Sequence, residues 1–268
     1  METTSAPPAT AVELTPSFLV RHQFLIYRLF SLAGLIPIGA YMVVHLLTNA
    51  TILNGPAAFQ ENVDRIHSLG VMLLPIEITF IFLPILFHAA VGWLIIIGAM
   101  PNTSAYPYAS NLRYTMQRVT GIIAFVFIVF HVIQLHHLAG EPFKEIGGAQ
   151  FHAEHASSSA ATALSPLWIQ ALYAIGMLSV VYHFANGLWT QGITWGLWTS
   201  AAAQRRASWI SAIVGVGLAV VGLSAIGGIA NTNVPQATEI EDAMIKQKDA
   251  ILKVQEPVVE PPAPAAGP

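Results

Sequence analysis

Five apolar runs decide what this chain can become. They fall near residues 24–48, 75–99, 118–138, 168–193 and 208–230, and at about 1.5 Å of rise per residue a run of ~20 residues crosses a hydrocarbon core of about 30 Å. Lipid offers backbone N–H and C=O groups no partner, and no alternating strand-like pattern is present, so the runs are expected to be helices. The expected fold class is therefore an all-α integral membrane protein with five transmembrane helices. The composition agrees: 54% of the 268 residues are hydrophobic and only 9% charged.

Lys and Arg in the short loops set the expected orientation. Arg21 and Arg28 precede the first run, Arg113 and Arg118 lie between the second and third, and Arg205 and Arg206 between the fourth and fifth. The other two loops hold only Arg65 and Lys144. This puts the N-terminus in the cytoplasm and, after five crossings, the C-terminus outside. Three regions are expected: an unpacked cytoplasmic segment over 1–20, a transmembrane domain over 21–231, and an acidic, Pro-rich external tail over 232–268. Within the tail, residues 236–255 mix charges with Ile240, Met244, Ile245, Ile251 and Leu252, as a short amphipathic surface helix would, and "PVVEPPAPAAGP" has the composition of extended chain. No cleavable signal peptide is evident in Met1–Pro16.

Each of the first four runs contains one deep histidine, His45, His88, His131 and His183, and the fifth contains none. Ionisable groups in membrane spans are uncommon and usually face a bundle interior. His45 lies 17 residues past Arg28 and His131 13 past Arg118, roughly 20–25 Å from the cytoplasmic face. His88 and His183 sit on helices running inward, roughly 8–10 Å above that face. Depth thus pairs first with third and second with fourth, the diagonals of an up-down four-helix bundle. Two histidines at one level on facing helices match the axial ligation of a b-type haem, so the expectation is two stacked haems. The absence of cysteine excludes thiolate-held iron–sulfur clusters and covalent c-type haem. Gly92 and Gly187, four residues after His88 and His183, are expected to open the slot for a porphyrin; Gly34 and Gly121 lie about three turns before His45 and His131. "RLFSLAG…H" beside "RVTG…H", and "HAAVGW" beside "HFANGL", read as a faint internal repeat.

The other histidines read differently. His22, His67, His152 and His155 fall at loop ends or in the outer loop and are expected to be solvated, while His136 and His137 point to other faces than His131 and read as interfacial, with replacement of His131 by one of them left open. Ser211, Gly215 and Ala219 form a small-residue stripe for packing the fifth helix.

These residues taken together, "RLFSLAGLIPIG…H", "IEITFIFLPILFHAAVG", "QRVTGI…H" and "HFANGLW…TWG", resemble the cytochrome b membrane-anchor subunits of succinate dehydrogenase, in the bacterial five-helix, two-haem class, from about Phe24 to Ile229. The resemblance implies a bacterial cytoplasmic-membrane protein in which His88 and His183 bind the haem nearest the cytoplasmic partners and His45 and His131 the distal one. It implies two partners, a flavoprotein with the succinate site and an iron–sulfur protein, and a quinone acceptor, commonly menaquinone, near the distal haem. No nucleic-acid partner is expected. Some fumarate-reducing relatives carry a glutamate two residues before the fourth-helix histidine; here that residue is Val181, so their proton path is not expected. Arg118 is the favoured haem-propionate partner, with Asn186 and Trp189 as further candidates near His183. Glu77, 11 residues before His88, falls at about the level of the distal pair, either as a proton-handling group for quinone or as a helix-start glutamate. A di-haem subunit of a hydrogenase or formate dehydrogenase, and a haem-free proton-coupled transporter, are the alternatives.

Overall fold

The computed structural model describes residues 18–98 and 103–255. The expectations for the extreme N-terminal segment and for the Pro/Ala-rich C-terminal end fall on residues 1–17 and 256–268, outside the described residues. Phe18, Leu19 and Val20, expected to be part of an unpacked segment, already belong to the first helix.

The described chain is helical with no strand, and five segments are long and apolar enough to cross a membrane. The first is built from α1 (Phe18–Leu35) and α2 (Pro37–Ala50), joined at Ile36. Pro37 has no N–H, so it interrupts the bonding ladder of α1 and sits at the first turn of α2. A 3-10 turn, Thr51–Asn54, ends this span, and Gly55, at φ +105°, reverses the chain into α3 (Pro56–His67).

The second span runs through α4 (Leu73–Glu77), a π-helical turn at Ile78–Phe82 and α5 (Leu83–Ile97). Pro84, at the start of α5, again removes a donor, and the wider π turn absorbs the mismatch. The third span is α6 (Ala109–Leu135). Beyond it lie α7 (His137–Gly140) and α8 (Ala156–Ala163). The fourth and fifth spans are α9 (Leu167–Thr194) and α10 (Ala201–Ala230), and α11 (Val234–Gln255) closes the described chain.

α9 is the hub: α6 and α10 pack along it, α10 also packs on α2, and α1 packs on α5 and α9. The small-residue stripe of α10 makes the expected close approach. Ser211 Oγ donates to Ala185 O, and a Cβ on Gly215 would stand 3.0 Å from that of Ala185.

Two ends of the bundle differ. Phe18, residues 103–108 and the Trp195–Ser200 turn form the N-terminal end. At the far end, α3, α8 and α11 assemble into a cap whose buried core includes Ile52, Phe59, Ala156, Ala160, Leu164 and Ile229. The amphipathic helix expected over 236–255 is present, and its first half is docked rather than lying free on a surface. Its Glu241 is fully buried, accepting from Ser157 N at 2.6 Å, Ser158 N at 3.2 Å and Ser158 Oγ at 2.5 Å. Gln60 of α3 accepts from the preceding amide, Ala156 N, at 2.8 Å. The three amides opening α8, which have no partner within their own helix, are therefore bonded by side chains from two other elements.

Candidate functional site: two histidine pairs

The four span histidines come together as two couples. His45 of α2 faces His131 of α6 with ring centroids 5.7 Å apart and planes at 79°. His88 of α5 faces His183 of α9 at 6.1 Å and 87°. An imidazole–metal bond is about 2 Å long, so two rings sharing one metal atom have centroids roughly 6 Å apart. Among the described residues no cluster of three or more ligating His, Cys, Asp or Glu side chains forms. A metal between either couple would take its other ligands from a cofactor, and a porphyrin supplies four.

Hydrogen bonds fix the ring tautomers in a form suited to that chemistry. His88 Nδ1 donates to Phe30 O at 3.0 Å, and His183 Nδ1 donates to Gln117 O at 3.0 Å. Carbonyl oxygens only accept, so Nδ1 carries the proton in both rings and Nε2 keeps its lone pair. Each carbonyl lies four residues before a glycine, Gly34 or Gly121. A Cβ on Gly34 would stand 2.6 Å from His88 Cε1, and one on Gly121 3.0 Å from His183 Cε1. The missing side chain is what lets the imidazole reach the helix backbone.

The four glycines differ in what surrounds them. At Gly92 and Gly187 a Cβ would meet its nearest neighbours at ordinary distances, Phe30 at 3.5 Å and Gln117 Nε2 at 3.9 Å. The tight positions are Gly34 and Gly121, which serve the histidines of α5 and α9 rather than those of their own spans. Three helical turns along α1–α2 or α6 is about 16 Å, and this carries the chain from one histidine level to the other.

No known family profile matches the chain. It is 35% identical over 204 residues to the succinate dehydrogenase cytochrome b558 subunit of Bacillus subtilis, a match covering 76% of this chain and 96% of that protein. The chain belongs to the succinate dehydrogenase cytochrome b subunits. It is thus a multi-pass membrane component of an enzyme complex, as the resemblance implied.

In this succinate dehydrogenase cytochrome b chain the remaining candidates separate. Glu77 Oε2 lies 3.5 Å from His136 Nε2, with both side chains about one-fifth exposed. His136 Nδ1 accepts from Ala139 N at 3.3 Å, so the residue caps α7. His136 therefore answers to Glu77, and it is His131 that faces His45. Of the histidines expected to be solvated, His155 is tied down, its Nε2 standing 3.0 Å from Asp242 Oδ1.

Arg118 stacks on Tyr114 at 3.4 Å and donates to Tyr114 O at 3.2 Å, while its Nε is buried without a hydrogen-bond partner. It is not wired to either histidine pair. Arg113 is: it donates to Asn186 Oδ1 at 2.8 Å, Asn186 donates to Gln117 Oε1 at 2.7 Å, and Gln117 Nε2 donates to His183 Nε2 at 3.3 Å and to His183 O at 3.1 Å. Trp189, the other aromatic candidate, lies under Arg113 at 3.9 Å. Sequence reasoning missed Gln117 and also Tyr173, whose hydroxyl is 3.3 Å from His131 Nδ1. The one available signal was a polar side chain inside an apolar run at Tyr173, and at Gln117 one just before such a run.

Proposed function

We propose that this chain conducts electrons from an iron–sulfur partner subunit, docked with its flavoprotein at the N-terminal end, through two b-type haems to a membrane quinone, menaquinone in our reading. His88 and His183 hold the haem nearer the partners; His45 and His131 hold the other. The observation that carries this reading is the pair of imidazole couples, each at the separation of two rings sharing one iron. The Nδ1–H tautomers of His88 and His183, and the bonded position of His131, leave a lone pair on Nε2; at His183 that lone pair accepts from Gln117 Nε2 at 3.3 Å, a bond that Gln117 would give up to the iron. Arg118 Nε, buried and without a partner, is a donor suited to a propionate.

When bound, each haem supplies one-electron chemistry. The chain's own residues hold the ligands at fixed spacing, keep the path dry, and handle protons at the quinone. We assign the last role to Glu77, with His136 as its hydrogen-bonded neighbour beside the π turn. In this reading the N-terminus is cytoplasmic, and the membrane is the bacterial cytoplasmic membrane.

Reduced-minus-oxidised spectra and redox titration of the purified complex test it. Two b-type components are expected. His88→Ala and His183→Ala should both remove one of them, and His45→Ala and His131→Ala the other. Loss of one shared component in His45→Ala and His88→Ala would overturn the pairing, and a complex without b-type absorbance would overturn the function. Glu77→Gln should keep both components and succinate oxidation with an artificial acceptor, yet lose most quinone-linked turnover; unchanged turnover would return Glu77 to a purely structural role.

A further inference from the structure

The two couples are supported by different kinds of hydrogen-bond partner. At Nδ1 of His88 and His183 the partner is a main-chain carbonyl; at Nδ1 of His131 it is the hydroxyl of Tyr173, at 3.3 Å. Tyr173 is buried on α9, 6% exposed. Its hydroxyl donates to Gln134 Oε1 at 2.8 Å. Gln134, 5% exposed, donates through Nε2 to Ala163 O at 3.3 Å and to Gln150 Oε1 at 3.4 Å. Its backbone is held as well, because Gln150 N donates to Gln134 O at 2.7 Å.

The direction of every bond in this chain is forced. Ala163 O can only accept, so Gln134 must present its NH2 there and its Oε1 to Tyr173. The single Tyr173 proton is then committed to Gln134. What Tyr173 offers His131 is a lone pair, and His131 must answer with Nδ1–H. The backbone at the end of α8 thus dictates, through two side chains, which nitrogen of His131 is free.

We infer that Tyr173, oriented by Gln134, is a positioning residue for His131: it selects the tautomer whose Nε2 can ligate iron and sets the redox potential of the haem that His45 and His131 hold. This rests on the haem reading above. Ligand imidazoles are oriented and made more basic by such outer-shell partners, and a more electron-rich ligand favours the oxidised metal. Removing the acceptor therefore raises the potential.

The test uses the whole complex. Tyr173→Phe should retain both b-type components and shift one midpoint, that of the His45–His131 haem, upward, with a changed low-spin electron paramagnetic resonance signal for that haem alone. Gln134→Leu should act differently. With its acceptor gone, Tyr173 can turn its proton toward Nδ1, favouring the Nε2–H form that cannot ligate, so haem occupancy at this site should fall. Phenylalanine has no proton to turn, so the double variant Tyr173→Phe/Gln134→Leu should recover occupancy relative to Gln134→Leu. An unshifted midpoint in fully loaded Tyr173→Phe, or a double variant as depleted as Gln134→Leu, would overturn the inference. A shift confined to the other component would instead overturn the ligand assignment itself.

Discussion

The His88–His183 couple is held at both Nδ1 atoms by the backbone, and His131 of the other couple by a side chain beneath a cap. Phe30 O and Gln117 O cannot be removed by substitution; they can only be blocked, by filling the space that Gly34 and Gly121 leave. Tyr173, Gln134 and Gln150 can each be altered singly. The ends of the molecule around the couples differ in the same sense. The far end buries its own polar groups, with Glu241 and Gln60 closing the start of α8. At the N-terminal end Phe18, Tyr106, Tyr108 and Leu197 are all more than half exposed. Large apolar side chains are exposed at the far end too, Val71, Ile146, Leu167 and Trp168 among them; what sets that end apart is the buried polar core of its cap, and we place the partner subunits at the end without one. Protein support at the near couple therefore depends on two glycines staying glycine, while at the far couple it is open to tuning one side chain at a time.

The largest effect should come from blocking the backbone-held couple. Gly34→Ala places a methyl group 2.6 Å from His88 Cε1, closer than real Cβ contacts come, and the obstacle is the imidazole to which we assign iron ligation. Most of the haem assigned to His88–His183 should be lost, with the other spectral component retained. Gly92→Ala is the control, because its Cβ meets only Phe30 at 3.5 Å, and both components should survive. Equal losses in the two variants would break the distinction between a glycine that admits a ligand ring and one that merely lines a helix.

How far sequence could see follows the same division. The spans were legible because a run of ~20 apolar residues has few other uses, and the four histidines because ionisable side chains stand out against such runs. The glycines were visible, but the contacts of two of them were not: counting H-x3-G along one helix measures neighbours on that helix, whereas the close approach runs between helices, from Gly34 to His88 and from Gly121 to His183. Gln117 and Tyr173 acquire their roles from rings 66 and 42 residues away, which spacing cannot reveal. Glu241 was the least legible. A carboxylate in a charged, mixed-polarity helix reads as solvated, and only the amides of α8, more than 80 residues earlier in the chain, make its burial favourable.

That carboxylate gives the next effect in size, and it sharpens the contrast between the ends. Glu241→Leu leaves two amides and the Ser158 hydroxyl without their acceptor in a buried site, at a cost of about 3 kcal/mol. The variant should show a clearly lowered thermal unfolding midpoint for the far-end cap, and limited proteolysis should reach α11 first. Glu241→Gln keeps an acceptor oxygen and should lose about 1 kcal/mol. Both variants should leave the component assigned to His88–His183 intact. Loss of that component in either variant would mean that the cap supports the whole bundle rather than its own end.

The smallest effect belongs to the neighbouring residue, and it tests whether burial or charge fastens α11. Asp242 follows Glu241 directly and makes its own contact with the segment before α8, 3.0 Å from His155 Nε2, but its side chain is 51% exposed and that of His155 is 35% exposed. A pair this open gains little in water, because solvent and salt screen it and two side chains must be ordered to make it. Asp242→Asn should therefore change stability by no more than about 0.5 kcal/mol, and the change should shrink further as salt is raised. Adjacent carboxylates on one helix would then differ several-fold in what they contribute, and the difference would come from the two amides and one hydroxyl that meet Glu241 and do not meet Asp242. A salt-sensitive loss in Asp242→Asn as large as that in Glu241→Leu would instead assign the docking of α11 to surface charge, and the far end would be no more self-contained than the N-terminal one.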